Sequence, residues 1–401
     1  EVEGLVDKSL VSLAFHPLRY GDEEARVSML DTLREYAREK LAEAGEAAHY
    51  SERFCDWVVE LAQASHDELR SAASDARIER LELEQINLQA AIDHCLSLQP
   101  PDWNRALKIG GGVWFYWFER GMLTSARGLF EHAMDAIPGV EDAVRALALR
   151  ALGSVARFQN EIDMAERACL EGLDIYQRLG DQAGQGNVLG ELGAIVQRKG
   201  DMQKAAEYLD EALGLFESVP EDLHGRSFAA AARGVINHLD GDIVGARRFY
   251  EEALATGSQS GDTDSIASAL VNLGEVAEAE DNYTQAYEYY TRCLDLFANR
   301  GKKVAIAYCA EVIAGLSLRH LQKPSDAALL LGFADALREE TESPIEPFNE
   351  ERLQSDIAAT RDAMFAEAFQ ASWDAGASLD IDELLVVIRD LELSDEYQES
   401  A

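Results

Sequence analysis

The sequence predicts an all-α fold: a right-handed superhelical solenoid of antiparallel helix pairs, with a small β-hairpin at the N-terminal end. Three observations carry this reading. A glycine-centred pattern recurs about every 40 residues. Apolar residues fall at the three- and four-residue spacing of amphipathic helices over most of the chain. The 401 residues contain only eight prolines, too few to break that pattern often.

The repeat becomes visible when the chain is aligned on a small residue that precedes an acidic turn. "RALGSVARFQNEID", "GELGAIVQRKGDMQ", "AARGVINHLDGDIV" and "VNLGEVAEAEDNYT" then share a register, with Gly153, Gly193, Gly234 and Gly274 spaced 40, 41 and 40 residues apart. A weaker copy carries Gly315, and an earlier, degenerate one has Trp114 in the glycine position. Twelve residues after each glycine stands an alanine: Ala165, Ala205, Ala246, Ala286 and Ala327. Seven further on come Gly172, Ala212, Ala253, Cys293 and Ala334, preceded by three in most copies by a large residue such as Leu209, Tyr250, Tyr290 or Leu331. Two helices cross closely only where the contact points lack bulk, and a large neighbour fills the adjoining hole. The pattern resembles the tetratricopeptide repeat, lengthened from the common period of about 34 residues.

The N-terminal stretch is of another kind. "LDTLREYAREKLAEAG" (Leu30 to Gly45) reads as one amphipathic helix, with Leu30, Leu33, Tyr36, Ala37 and Leu41 on one face and Gly45 as its stop. Strand character precedes it at Leu10–Phe15 and Arg26–Met29. The words "LVDKSLV", "MLDTLREYAREKL" and "RLELEQINLQAAIDHCL" (Arg80–Leu96), with the terminal stretch Leu329–Ile388, resemble bacterial STAND signal-transduction ATPases of the AfsR, LuxR and MalT type, which are transcriptional regulators. The resemblance implies that residues 1–45 close a winged-helix domain and that the Leu30 helix packs on parts of that domain and of an ATPase lying outside this chain. A helical linker bundle is expected over 46–100, a degenerate repeat over 101–140, tetratricopeptide repeats over 141–340, C-terminal capping helices over 341–394 and a tail over 395–401.

Composition and motifs exclude several functions. The net charge of −38 opposes binding to phosphate backbones or anionic lipid, and the longest lysine-containing basic run is Lys302–Lys303. Residues 1–45 hold ten acids against six Lys or Arg, so the winged-helix segment is expected to act as a hinge rather than to bind DNA. The five cysteines are scattered and form no CxxC, as in reduced, packed thiols of a cytoplasmic protein. The densest apolar run, "VWFYWF" (Val113–Phe118), is far short of a membrane span. No GxxxxGK[ST] phosphate loop is present, so the chain is expected to need no cofactor. ATP and magnesium belong to the ATPase module that the resemblance implies. "GGG" (Gly110–Gly112) and "GQGNVLG" (Gly184–Gly190) read as close helix contacts, not phosphate cradles. No GxSxG, HExxH or Cys-His pairing appears, no set of residues reads as a metal site, and no enzyme activity is expected.

Function is therefore expected on the concave face of the repeats. Positions six and three before each glycine, and one and four after it, share one face of the first helix. They give Leu147, Arg150, Ser154 and Arg157, then Asn187, Gly190, Ala194 and Gln197, then Phe228, Ala231, Val235 and His238. Ser268, Val271, Glu275 and Glu278 follow, and Cys309, Val312, Leu316 and Arg319 end the series. Arg150 and Arg157 are candidates for holding an acidic group of a partner, the alternative being that both pair with helix acids such as Glu191. The expected role is a sensor region that binds a protein, peptide or small effector and relays it to its own ATPase module. The alternative is a free-standing repeat scaffold or adaptor.

Overall fold

The computed structural model describes residues 2–19, 23–135, 137–341 and 347–390, so the expected tail at 395–401 lies outside the described residues. Those residues form nineteen α-helices and one two-stranded sheet. The contacts between them define two compact units, one reaching to Ala229 and including Ser260–Asp262, the other holding Ala230–Gln259 and the chain from Thr263.

The first unit opens with α1 (Val2–Asp7) and the antiparallel strands β1 (Ser12–His16) and β2 (Glu24–Ser28), paired from Ser12 opposite Ser28 to His16 opposite Glu24. The strands lie one or two residues from the expected bounds. Next comes α2 (Asp31–Glu43), of which no residue is buried. Leu13, Phe15, Val27, Leu30 and Tyr36 are all exposed, so the apolar faces of hairpin and helix stay uncovered. Arg26 ties the hairpin to the rest of the unit: its guanidinium pairs with Glu84 and donates to the Leu83 carbonyl at 2.7 Å.

The core of the unit begins with α3 (Ala47–Glu68) and α4 (Ser74–Ser97), which pack on α5 (Trp103–Glu119). The triple glycine explains how α5 lies among so many neighbours. A Cβ on Gly112 would strike the Ala62 carbonyl of α3, and one on Gly110 would lie 2.6 Å from Leu129 of α6 (Leu123–Glu131). On Gly111 it would lie 2.7 Å from Leu147 of α7 (Asp142–Phe158). Antiparallel pairs follow: α7 with α8 (Ile162–Leu179), then α9 (Gln182–Arg198) with α10 (Met202–Phe216).

Turn chemistry repeats with the helices. Gly180, Gly200 and Gly241 adopt φ of 70°, 88° and 80°, which a side chain disfavours, and each is followed by aspartate. Asp181, Asp201 and Asp242 then accept from the backbone N–H three residues on, at 2.9, 3.1 and 3.0 Å. Each such cap stabilises its helix by about 1 kcal/mol.

After α11 (Leu223–Leu239), through which the boundary between units passes, the second unit holds α12 (Ile243–Ser260) and the pairs α13 (Thr263–Ala279) with α14 (Tyr283–Arg300) and α15 (Lys303–Arg319) with α16 (Pro324–Thr341). The C-terminal helices α17 (Pro347–Asp362), α18 (Ala366–Ala377) and α19 (Ile381–Asp390) complete it. α16 and α18 cross so tightly that a Cβ on Gly332 or Gly376 would meet the carbonyl of Trp373 or Leu329. α19 buries Leu384 and Ile388, and Tyr287 donates to the Ile388 carbonyl.

In each strong repeat the glycine receives the residue sixteen positions on. Gly153 meets Cys169, Gly193 meets Leu209, Gly234 meets Tyr250 and Gly274 meets Tyr290. The weak copy departs from this, since Gly315 lies against Arg319 and Asp356 instead. All five cysteines are buried and free, with Cys293 and Cys309 Sγ 3.4 Å apart.

A Cβ on Gly193 or Gly234 would fall 2.5 Å from Leu209 or Tyr250. Gly193→Ala and Gly234→Ala are therefore expected to destabilise by roughly 1–3 kcal/mol through overpacking. Gly214, exposed in α10 with nothing within 4 Å of where its Cβ would stand, is the control. Gly214→Ala should stabilise by roughly 0.5–1 kcal/mol, because alanine loses less backbone entropy in a helix. Thermal melts of the three variants check both signs, and hydrogen exchange should loosen first in the altered repeat.

Candidate functional site

The first unit contains a cavity of about 110 Å³ lined by residues of α5, α7, α9 and the start of α11, with Arg70 from the turn after α3. Of the predicted concave positions it gathers Arg150, Ser154, Arg157, Asn187 and Phe228. It adds Arg70, Trp114, Phe115, Phe118, Phe158, Glu191 and His224. Gln197, also predicted, lies further along α9 and does not line it.

One wall is aromatic. The helical spacing of "VWFYWF" turns Trp114, Phe115 and Phe118 to the cavity, where Phe118 meets Phe158 at 4.3 Å between ring centroids. The other wall is charged, and on an open groove its side chains would be solvated. Instead Arg150, Ser154 and Arg157 are 7%, 1% and 8% exposed, because α3 and α5 cover this end of the repeats.

The two predicted arginines have different surroundings. Arg157 takes the alternative role: its Nε donates to Glu191 Oε2 at 2.9 Å, while Ser154 Oγ donates to Oε1 at 2.8 Å. Its guanidinium also lies 4.4 Å from the Phe158 ring centre. Burial alone would raise the Glu191 carboxyl, but Arg157 and the two hydrogen bonds outweigh it and hold the group below the usual carboxylate range.

Arg150 has no carboxylate partner among the described residues. Its Nη2 lies 3.2 Å from His66 Nε2, and its buried Nε has no hydrogen-bond partner. Burial, then the charges of Arg150 and Arg70, push His66 down to about 2, so its ring is neutral and Nε2 accepts from the guanidinium. Arg70 makes no ion pair among the described residues; it lies over the Trp114 ring at 5.1 Å. Burial and the adjacent Arg150 lower it to about 10, so it keeps its charge at neutral pH. The remaining acids near the cavity are engaged elsewhere. Asp222 accepts from Asn187 and, at 3.0 Å, from the Gly225 N–H, and Asp262 pairs with His224 at 2.7 Å.

His238, Glu275, Glu278 and Arg319 lie in the second unit. His238 stands edge-on to Tyr250, and burial lowers its pKa. Burial raises the Glu275 carboxyl. Glu278 accepts from Tyr290 Oη at 2.6 Å and pairs with Arg319 at 3.4 Å. Arg319 also binds Asp356 of α17 at 2.7 Å, and Leu353 of the same helix joins the core that contains Val312 and Leu316. These positions were expected to line an open groove; here Arg319 stays exposed while it pairs with Asp356 of α17, and Cys309, Val312 and Leu316 are buried.

His66, Arg70 and Trp114–Phe118 were not anticipated as site residues. The aromatic run was visible in the sequence, but only the fold shows that it faces a cavity. Arg70 follows a helix end and carries no local signal. Among the described residues no three His, Cys, Asp or Glu side chains form a group suited to a metal ion, and no helix is long and apolar enough to cross a membrane.

Tetratricopeptide-repeat family models match residues 184–257 and 269–303, so these segments are tetratricopeptide repeats. The chain is similar in fold to the Cut9–Hcn1 hetero-tetramer of the APC/C, at 19% identity and a TM-score of 0.50 over 82% of this chain and 57% of that one. The Rap conjugation gene regulator of plasmid pLS20, in complex with the Phr* peptide, is 14% identical with a TM-score of 0.49 over 77% and 96%. BtubC from P. vanneervenii is 17% identical with a TM-score of 0.45 over 55% and 92%. No curated protein matches the chain.

His66 yields a pH prediction. Its native pKa lies below the ordinary 6.5, so the unfolded chain binds the proton more readily. Its contribution is fully present above pH 6.5 and is lost as pH falls towards the native value near 2. The loss is up to about 1.4 kcal/mol per pH unit. Denaturant unfolding between neutral and mildly acidic pH should show a smaller slope for His66→Gln than for the parent chain. A second expectation concerns the buried pair: Glu191→Ala should cost roughly 3–5 kcal/mol, since it leaves Arg157 buried without its carboxylate.

Proposed function

We propose that the chain is the non-catalytic sensor and protein-interaction region of a STAND-type transcriptional regulator, as the resemblance in its sequence implies. Its repeats bind an effector or partner, and its N-terminal hairpin and α2 dock on the nucleotide-binding module. The tetratricopeptide segments support the interaction role, since such repeats offer extended concave surfaces to proteins and peptides.

One observation favours the regulator over a free-standing adaptor. Leu13, Phe15, Val27, Leu30 and Tyr36 form exposed apolar surface on a hairpin and helix that bury almost nothing of their own. A lone two-stranded hairpin is at best marginally stable in water, and exposed apolar surface of this kind marks a contact site. An adaptor has no use for it; a hinge against an ATPase does.

Two measurements test this reading. The coding sequence upstream of Glu1 is expected to encode a phosphate-loop module, and its absence would leave the adaptor as the better reading. In the full-length regulator, changing Leu13, Phe15 and Val27 to Ser should leave the melting of the repeats unaltered while uncoupling effector binding from nucleotide hydrolysis. The chain by itself should show no heat of binding with ATP, and micromolar affinity would overturn its assignment as the sensor region alone.

A further inference from the structure

We propose that the cavity of the first unit is a specific site for a small organic anion: a carboxylate or phosphate attached to a flat apolar group, held by Arg70 and Arg150 against the aromatic wall. This rests on the reading of the repeats as the ligand-binding region and adds the chemical class of the ligand.

The charge balance is the first argument. Three guanidiniums, of Arg70, Arg150 and Arg157, face the cavity, and Glu191 is the one carboxylate bonded to any of them among the described residues. Asp222 and Asp262 act on Arg70 through space, but their oxygens are bonded to Asn187, the Gly225 N–H and His224, so among the described residues no carboxylate accepts from the guanidinium donors of Arg70 and Arg150. Guanidinium donors left without an acceptor mark the seat of one.

Unpartnered donors are the second. Arg150 Nε and Trp114 Nε1 are buried without a hydrogen-bond partner, and both residues line the cavity. Such orphaned donors are rare in folded proteins and cost roughly 1–3 kcal/mol each. An anion supplies the acceptors they lack. The neutral His66 holds Arg150 from the other side without cancelling its charge.

Shape supplies the third. About 110 Å³ admits one side-chain-sized group rather than a folded segment. Trp114, Phe115, Phe118, Phe158 and Phe228 line it, which suits a planar apolar body beside the charged end. The group could come from either of two sources, a free small acid or the terminus of a peptide, and the probes distinguish them.

The experiment titrates the whole chain with phenyl phosphate, phenylacetate, inorganic phosphate, benzyl alcohol and a tripeptide ending in phenylalanine with a free carboxylate. Tryptophan fluorescence and the melting temperature provide the readouts. Phenyl phosphate or phenylacetate should raise the melting temperature and perturb Trp114 emission, whereas benzyl alcohol should not. Arg70→Gln, which breaks no ion pair, should fold normally and bind roughly 10- to 100-fold more weakly, the loss expected for a hydrogen bond to a charged group. Arg150→Lys keeps the charge and should retain part of the affinity. Tighter binding of the tripeptide than of phenylacetate assigns the group to a peptide end, and the converse to a free acid; either supports the site. The proposal is overturned if no aryl anion binds at millimolar concentration, if Arg70→Gln binds as tightly as the parent chain, or if inorganic phosphate and benzyl alcohol bind as well as phenyl phosphate. None of these outcomes depends on the hairpin or on the upstream module, so failure here leaves the regulator reading standing.

Discussion

The interlock of a glycine on one helix with the residue sixteen positions on in its partner is the contact on which the repeat segments depend. Gly193 with Leu209, Gly234 with Tyr250 and Gly274 with Tyr290 set how closely the paired helices approach. Close approach buries Ala205, Ala246 and Ala286 completely. Where the interlock fails, at Gly315, the glycine lies against charged side chains and a C-terminal helix supplies the cover.

Much of this was legible in the sequence because it is local or periodic. The register, the small residues, the amphipathic α2, the hairpin and the glycine–aspartate turns are properties of spacing, which a single chain displays. The triple glycine was also readable as a packing device, and the structure gives each of its members a different neighbour. The candidate site was legible only in half. Arg150, Ser154, Arg157, Asn187 and Phe228 were found from their places on the helix wheel. Arg70 and His66 were not, because they reach the repeats from α3 and the turn after it, well over a hundred residues before Phe228, and nothing periodic links them. The partner of Arg157 was likewise foreseen as an alternative, whereas the absence of a carboxylate at Arg150 depends on how two helices cover the cavity.

Burial changes what the arginines mean. On a surface, Arg157 and Glu191 would be worth little. Inside, with both carboxylate oxygens bonded, the pair is a fixed structural element, and Arg150 and Arg70 are left without a bonded carboxylate among the described residues. The same residue type thus performs two jobs within one cavity, and the presence or absence of one acid separates them.

The ion pair between Arg319 and Asp356 makes α17 a tethered competitor for its own groove. A partner that brings a carboxylate to Arg319 replaces one charge pair by another of the same kind, so the exchange is nearly isoenergetic in electrostatic terms. It must also overcome the high effective concentration of a segment already attached to the chain. For such a partner, affinity at that face would have to come from apolar contact beyond what Leu353 provides.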